Sequence, residues 1–136
     1  MRAGALLFTY GTLRLGESSD LSKDSRADYV GTDRINGRLY DLGWYPGIRS
    51  VPGHFNPGES FVTGDVFQIL DDSLVDRLDR YEGYPEMYDR VETESAEGRH
   101  VWVYSYNLVI PDGRLISSGD WVTHAAKAEP RIYTAG

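Results

Sequence analysis

Only one stretch of this chain repeats its apolar residues at helical spacing, and that scarcity limits the fold more than any other feature. Leu74, Val75, Leu78 and Tyr81 recur with an α-helical period. Asp71-Asp72-Ser73 supplies N-cap chemistry before them, and Gly83 followed by Pro85 supplies a stop after them. The other patterned runs are β-like: residues 6–10, ending at Gly11, then 35–42, 61–70, 87–94 and 100–107. In the last of these Trp102, Tyr104 and Tyr106 share one face by alternation. Ala96-Glu97-Gly98, between the last two runs, suits a hairpin. Five or so strands to one good helix specify an α+β fold, a small mixed β-barrel with a helix on its rim.

The segments between these runs read as connections. Residues 17–25 are polar and turn-like, with room for a short helix, and 43–47 and 52–58 are rich in Gly and Pro. No repeat or linker divides the chain, so residues 1–121 read as a single domain. Residues 122–136 are polar, Ala-rich and aperiodic, and read as a C-terminal tail.

Composition removes several function classes. The chain has no cysteine, which excludes disulfides, thiolate metal sites and a cysteine nucleophile. A net charge of −7, with two lysines and scattered arginines, repels a phosphate backbone and argues against nucleic-acid binding. The apolar run 5–8 is too short for a signal peptide or a membrane span, so a cytoplasmic protein with no membrane partner is expected. Ten tyrosines and three tryptophans suit a β-rich core or a pocket lined by amphipathic rings.

Glu82 is the residue that demands an explanation. At roughly 100° per residue from Leu74, it falls at about 80°, inside the apolar arc marked by Leu78 at about 40° and Val75 at about 100°. Asp76, Asp79 and Arg80 point elsewhere, as solvated helix residues do. A buried carboxyl has its pKa raised towards the range useful for proton transfer. The plain alternative is that Glu82, at the helix end, reaches past a frayed turn to water.

Other motifs narrow the chemistry. Residues 11–18 have P-loop spacing after a strand, but Glu17 stands where a P-loop needs lysine and would repel phosphates. The same turn can expose backbone N–H groups as an anion nest or oxyanion hole, or be an ordinary glycine turn. His54, His100 and His124 fit no metal spacing, and there is no G-x-S-x-G elbow.

Taken in order, several short strings resemble the gamma-glutamylcyclotransferase-like family, in its gamma-glutamylamine cyclotransferase-like branch. Phe8-Thr9-Tyr10-Gly11-Thr12-Leu13-Arg14 is similar to that family's opening signature. Gly37-Arg38-Leu39-Tyr40-Asp41, Tyr45-Pro46-Gly47-Ile48 and Gly64-Asp65-Val66-Phe67 follow. The central block runs from Leu78 through Glu82 to Tyr84, then Tyr88-Asp89-Arg90. Val101-Trp102-Val103-Tyr104 and Ser118-Gly119-Asp120-Trp121 complete the set. The chain departs from the pattern at Glu17-Ser18-Ser19-Asp20, where many relatives carry Asn or His, and in residues 51–60.

The resemblance implies a small mixed barrel with flanking helices and an enzyme that needs no cofactor or metal. The implied reaction cyclises a gamma-glutamyl amine or isopeptide to 5-oxoproline and releases the amine. It assigns the catalytic acid/base to Glu82, the substrate-cradling turn to Tyr10, Gly11, Thr12 and Leu13, and pocket tyrosines to Tyr88 and Tyr104. The implied partner is a small gamma-glutamyl molecule; no oligomeric state follows. A non-catalytic module binding a similar ligand, or a regulatory protein in which Glu82 is structural, are the rival expectations.

Overall fold

The computed structural model describes residues 1–127. The described elements are β1 (Leu6–Thr9), a short 3-10 helix (Leu21–Lys23), β2 (Ala27–Asp41), β3 (Pro46–Ser50), β4 (Phe61–Ile69), α1 (Asp72–Glu82), β5 (Tyr88–Glu94), β6 (His100–Tyr106) and α2 (Trp121–Lys127). The strands form one sheet in the order β3-β2-β4-β1-β6-β5. β1 runs parallel to β6, and every other neighbouring pair is antiparallel. The sheet curls until β3 meets β6, where side chains close the seam in place of a ladder. Ser105 Oγ donates to the Ile48 carbonyl at 3.2 Å, and the Arg49 guanidinium donates to the carbonyls of Tyr106 and Leu108. The result is a nearly closed six-stranded mixed barrel with two flanking helices, as the α+β reading required.

Both faces of the sheet are buried, which a period of two makes possible along β1: Leu7 faces one core and Phe8 the other. The barrel interior gathers Phe8, Ile35, Leu39, Ile48, Val66 and Val103. The second core packs Leu7, Phe67, Ile69 and Tyr104 against Leu74, Val75 and Leu78 of α1. Helix α1 has the ends its sequence specifies. The Asp71 carboxylate accepts from the Ser73 amide at 2.8 Å. Gly83 takes the left-handed conformation, φ 67°, with Gly83 N–H bonded to Arg80 O and Tyr84 N–H to Asp79 O. This paired closure is a Schellman motif, so the last turn is pinned rather than frayed.

Three differences from the sequence reading have physical causes. β2 begins at Ala27, not at residue 35, because its first half pairs with β4 from Ala27↔Ile69 onward while exposing most of its side chains, so it carries no apolar alternation. Residues 46 and 47, read as part of a turn, open β3, which runs on to Ser50; Pro46 is its first residue, where a missing N–H is tolerated. Helix α2 covers Trp121–Lys127, where an aperiodic tail from residue 122 was expected. Trp121 is buried in the barrel end, and His124 Nε2 lies 2.9 Å from Asp41 Oδ2. Residues 128–136 of the expected tail lie outside the described residues.

A buried ion cluster ties these parts together. Arg14 Nε lies 3.1 Å from Asp65 Oδ2, and its Nη1 lies 3.0 Å from Asp120 Oδ1. Asp65 also accepts from the Leu15 amide at 3.0 Å. The guanidinium thus joins the turn after β1, strand β4 and the start of α2. Among the described residues no helix is long and apolar enough to cross a membrane.

Candidate active site

The end of β1 and the end of α1 meet at a cavity of about 310 Å³, near the lower limit for small-molecule sites. Strand β1 delivers Tyr10 and the turn Gly11-Thr12-Leu13, α1 delivers Glu82, β5 delivers Tyr88 and β6 delivers Tyr104. All seven residues singled out from the sequence therefore line one cavity. Carbonyls of the turn accept from the amides of Arg14, Ser19 and Leu21, which fixes its shape. The amides of Gly11, Thr12 and Leu13 find no protein acceptor among the described residues.

Gly11 sits where a side chain will not fit. A Cβ there would lie 2.6 Å from Pro46 Cγ, so the turn packs directly on the start of β3. The Pro46 carbonyl in turn accepts from the Tyr88 hydroxyl at 3.0 Å.

Glu82 has no hydrogen-bond or ion-pair partner among the described residues. It keeps some accessible surface because the cavity is open, while surrounding protein crowds the carboxyl. Burial pushes its pKa up to about 7 from an ordinary 4.5. The helical wheel anticipated this position. The same wheel misplaced two neighbours. Tyr81 lies at the arc's edge but is 47% exposed, its hydroxyl held by Thr12 Oγ1 at 2.7 Å and Ser19 Oγ at 3.2 Å. Asp79, assigned to the solvated face, accepts from the Tyr104 hydroxyl at 2.7 Å and lies 3.6 Å from Arg90 Nε.

The three tyrosines are raised above the ordinary phenol range, chiefly by burial and partly by the Glu82 charge, so each stays neutral. Their protons are already committed. Tyr10 donates to the Tyr104 carbonyl at 2.6 Å, Tyr88 to Pro46 and Tyr104 to Asp79. What they can still offer a ligand is an accepting oxygen lone pair and a ring face.

Sequence reasoning missed Trp44, Tyr45, Tyr81 and Met87 as lining residues. Tyr45 and Tyr81 each stood in one of the family-like strings, which was the available signal. Trp44 and Met87 had none, because only the curl of the sheet brings their segments to this end.

The family model for gamma-glutamyl cyclotransferase, AIG2-like proteins matches residues 7–123. The chain belongs to that family. It is 36% identical over 124 residues to a Vibrio cholerae protein whose name places it among the gamma-glutamylcyclotransferases, covering 85% of this chain and 94% of that one. It is 32% identical to the gamma-glutamylcyclotransferase family protein YtfP of Escherichia coli, over 85% of this chain and 95% of that protein. The crystal structure of an AIG2-like protein from Mus musculus superposes with a TM-score of 0.74 at 22% identity, covering 97% and 99% of the two chains. That last likeness is one of fold. In this AIG2-like chain the family-like strings carrying Arg14, Asp65 and Asp120 converge on the buried ion cluster, while those carrying Tyr10 and Glu82 converge on the cavity.

Proposed function

We propose that the chain is a gamma-glutamyl cyclotransferase that converts a small gamma-glutamyl amine or isopeptide to 5-oxoproline and a free amine, with Glu82 as general acid/base. The observation that carries this reading is one partnerless carboxyl, pKa about 7, on a cavity beside a turn with three unengaged amides. The names of the Vibrio cholerae and Escherichia coli relatives support the reaction class.

The chemistry follows from these groups. The substrate brings its own nucleophile, so the enzyme supplies a base, an orientation and charge stabilisation. Glu82 as carboxylate takes a proton from the substrate's α-ammonium. The freed nitrogen attacks the γ-carbonyl carbon and closes a five-membered ring. As the bond to the leaving nitrogen breaks, Glu82 returns its proton there; the regenerated carboxylate then takes the second proton from the ring nitrogen, and the departing amine leaves as an ammonium, which balances the step. Such proton transfer contributes roughly 10²–10⁴-fold, and holding the chain folded back on itself contributes more. The amides of Gly11 to Leu13 suit either the α-carboxylate or the developing oxyanion. The accepting oxygens of Tyr10, Tyr88 and Tyr104 suit the ammonium and its hydrogens.

The test is incubation with gamma-glutamyl-ε-lysine and a set of gamma-glutamyl amino acids and amides, with 5-oxoproline read by mass spectrometry and Glu82→Gln in parallel. Product from the unmodified chain and none from the variant is expected. No product from any compound, or equal product from the variant, overturns the reading.

A further inference from the structure

Glu82 stands among hydroxyl donors and receives a proton from none of them. Five phenols line its cavity: Tyr10 just after β1, Tyr45 on the β2–β3 connection, Tyr81 on α1, Tyr88 on β5 and Tyr104 on β6. Among the described residues Glu82 is the sole charged side chain lining it. Burial chiefly, and the Glu82 charge in part, raise Tyr10, Tyr88 and Tyr104 above the phenol range, so these three lie within electrostatic reach of the carboxyl. An ionised carboxylate is a strong acceptor for a phenol, and a bond from any of the three would favour the ionised form.

The carboxyl stays alone because each proton is taken elsewhere. Tyr10 donates to the Tyr104 carbonyl at 2.6 Å and Tyr88 to the Pro46 carbonyl at 3.0 Å. Both acceptors are main-chain atoms, present whatever residue occupies the position. Tyr81 donates to Ser19 Oγ at 3.2 Å, and Tyr45 stands 36% exposed at the mouth. Tyr104 differs, because its acceptor is a side chain, Asp79 Oδ1 at 2.7 Å. Asp79 precedes Glu82 by nearly one turn of α1, and Arg90 Nε from β5 lies 3.6 Å from the same oxygen, a cation beside the carboxylate. Tyr104 itself is buried, which leaves its proton few acceptors besides these two carboxylates.

We propose that Asp79 is a positioning residue: by accepting the Tyr104 proton it keeps that phenol from donating to Glu82, and so leaves the Glu82 carboxyl without a hydrogen-bond partner. Asp79 does not line the cavity and acts through Tyr104. Where the proton sits is independent of the reaction; what it is for rests on the cyclotransferase reading above. A carboxyl with a pKa of about 7 is partly ionised at neutral pH and can both take and return a proton. One donated hydrogen bond would pull that value down and weaken the base.

The test reads Glu82 directly, in protein without substrate. Isotope-labelled glutamate reports each side-chain carboxyl by NMR, and Glu82→Gln identifies the resonance. Asp79→Leu keeps a branched side chain and a good helix former while removing the acceptor. The Glu82 titration midpoint should fall by about one pH unit in that variant. Loss of the Asp79 charge alone would also lower it, so a double variant decides. Asp79→Leu with Tyr104→Phe has no phenol proton to give and should return the midpoint to that of the parent. A midpoint unmoved in Asp79→Leu, or one that stays lowered in the double variant, overturns the proposal. If Asp79→Leu does not fold, Asp79→Ala takes its place under the same outcomes. The two readings fail separately. A parent that forms no 5-oxoproline overturns the reaction and leaves the proton placement standing, whereas 5-oxoproline with an unmoved midpoint does the reverse.

Discussion

Asp65 and Glu82 are both carboxylates withdrawn from water within one small barrel, and their surroundings differ in every other respect. Asp65 accepts from the Arg14 guanidinium and the Leu15 amide, and Arg14 turns its other face to Asp120. Glu82 has no partner among the described residues and lines a cavity. A satisfied buried charge is a structural fastener, because removing one member strands the others. A carboxyl left without a partner sits in an unfavourable state that folding alone does not explain, and that state suits it to move protons.

The contrast can be broken most decisively at Glu82. Glu82→Gln should lower 5-oxoproline formation by about 10²–10⁴-fold while circular dichroism stays unchanged, whereas near-normal turnover would place the chemistry elsewhere. At the other carboxylate the loss should appear in stability. Arg14→Met leaves Asp65 and Asp120 facing each other without a cation, and urea titration should show a loss of about 3–5 kcal/mol. A loss below about 1 kcal/mol would mean the cluster is surface-like in energy.

A third measurement sharpens the difference through pH. Glu82 has a folded-state pKa of about 7, above its ordinary 4.5, so the folded chain holds a proton that the unfolded chain releases. Between those two values the unfolded state binds fewer protons, and stability falls as pH rises. Glu82→Gln should therefore match the parent near pH 4 and exceed it at pH 8, by on the order of 3 kcal/mol at most. Melting temperatures that keep a constant offset across that range would remove the raised pKa. Turnover by the parent should rise through pH 7 and then level, since the base must first be ionised. The smallest effect is expected at Tyr104→Phe, which removes one hydrogen bond to Asp79 and costs about 1 kcal/mol by denaturant titration. A much larger loss would show that Asp79 depends on that phenol as strongly as Asp65 depends on Arg14.

What the sequence revealed follows from what was local. The ends of α1 are written in Asp71, Ser73 and Gly83, and the direction of Glu82 follows from its angular distance to Leu78, so both were legible without tertiary information. β3 was not, because Pro46 and Gly47 look like turn residues until Asp41 and Tyr40 lie beside them. The first half of β2 was hidden for a related reason: a strand that exposes most of its side chains leaves no apolar alternation. Trp44 and Met87 lie far apart in the chain and share the cavity only after the sheet has curled. Asp79 was misread because a helical wheel registers which side of the helix a residue occupies, not the arrival of Tyr104 and Arg90 from β6 and β5.

The contact between Gly11 and Pro46 bears on how chains of this kind can diverge. The proline ring occupies the place a side chain at position 11 would need, and its carbonyl holds the Tyr88 hydroxyl. Positions 11 and 46 are therefore not free to vary one at a time. A descendant can acquire a side chain at position 11 only along a path that first gives up the proline ring, whereas the main-chain carbonyl that holds Tyr88 is supplied by any residue at position 46. Order of substitution, and not merely the final set, decides which relatives of this barrel are reachable.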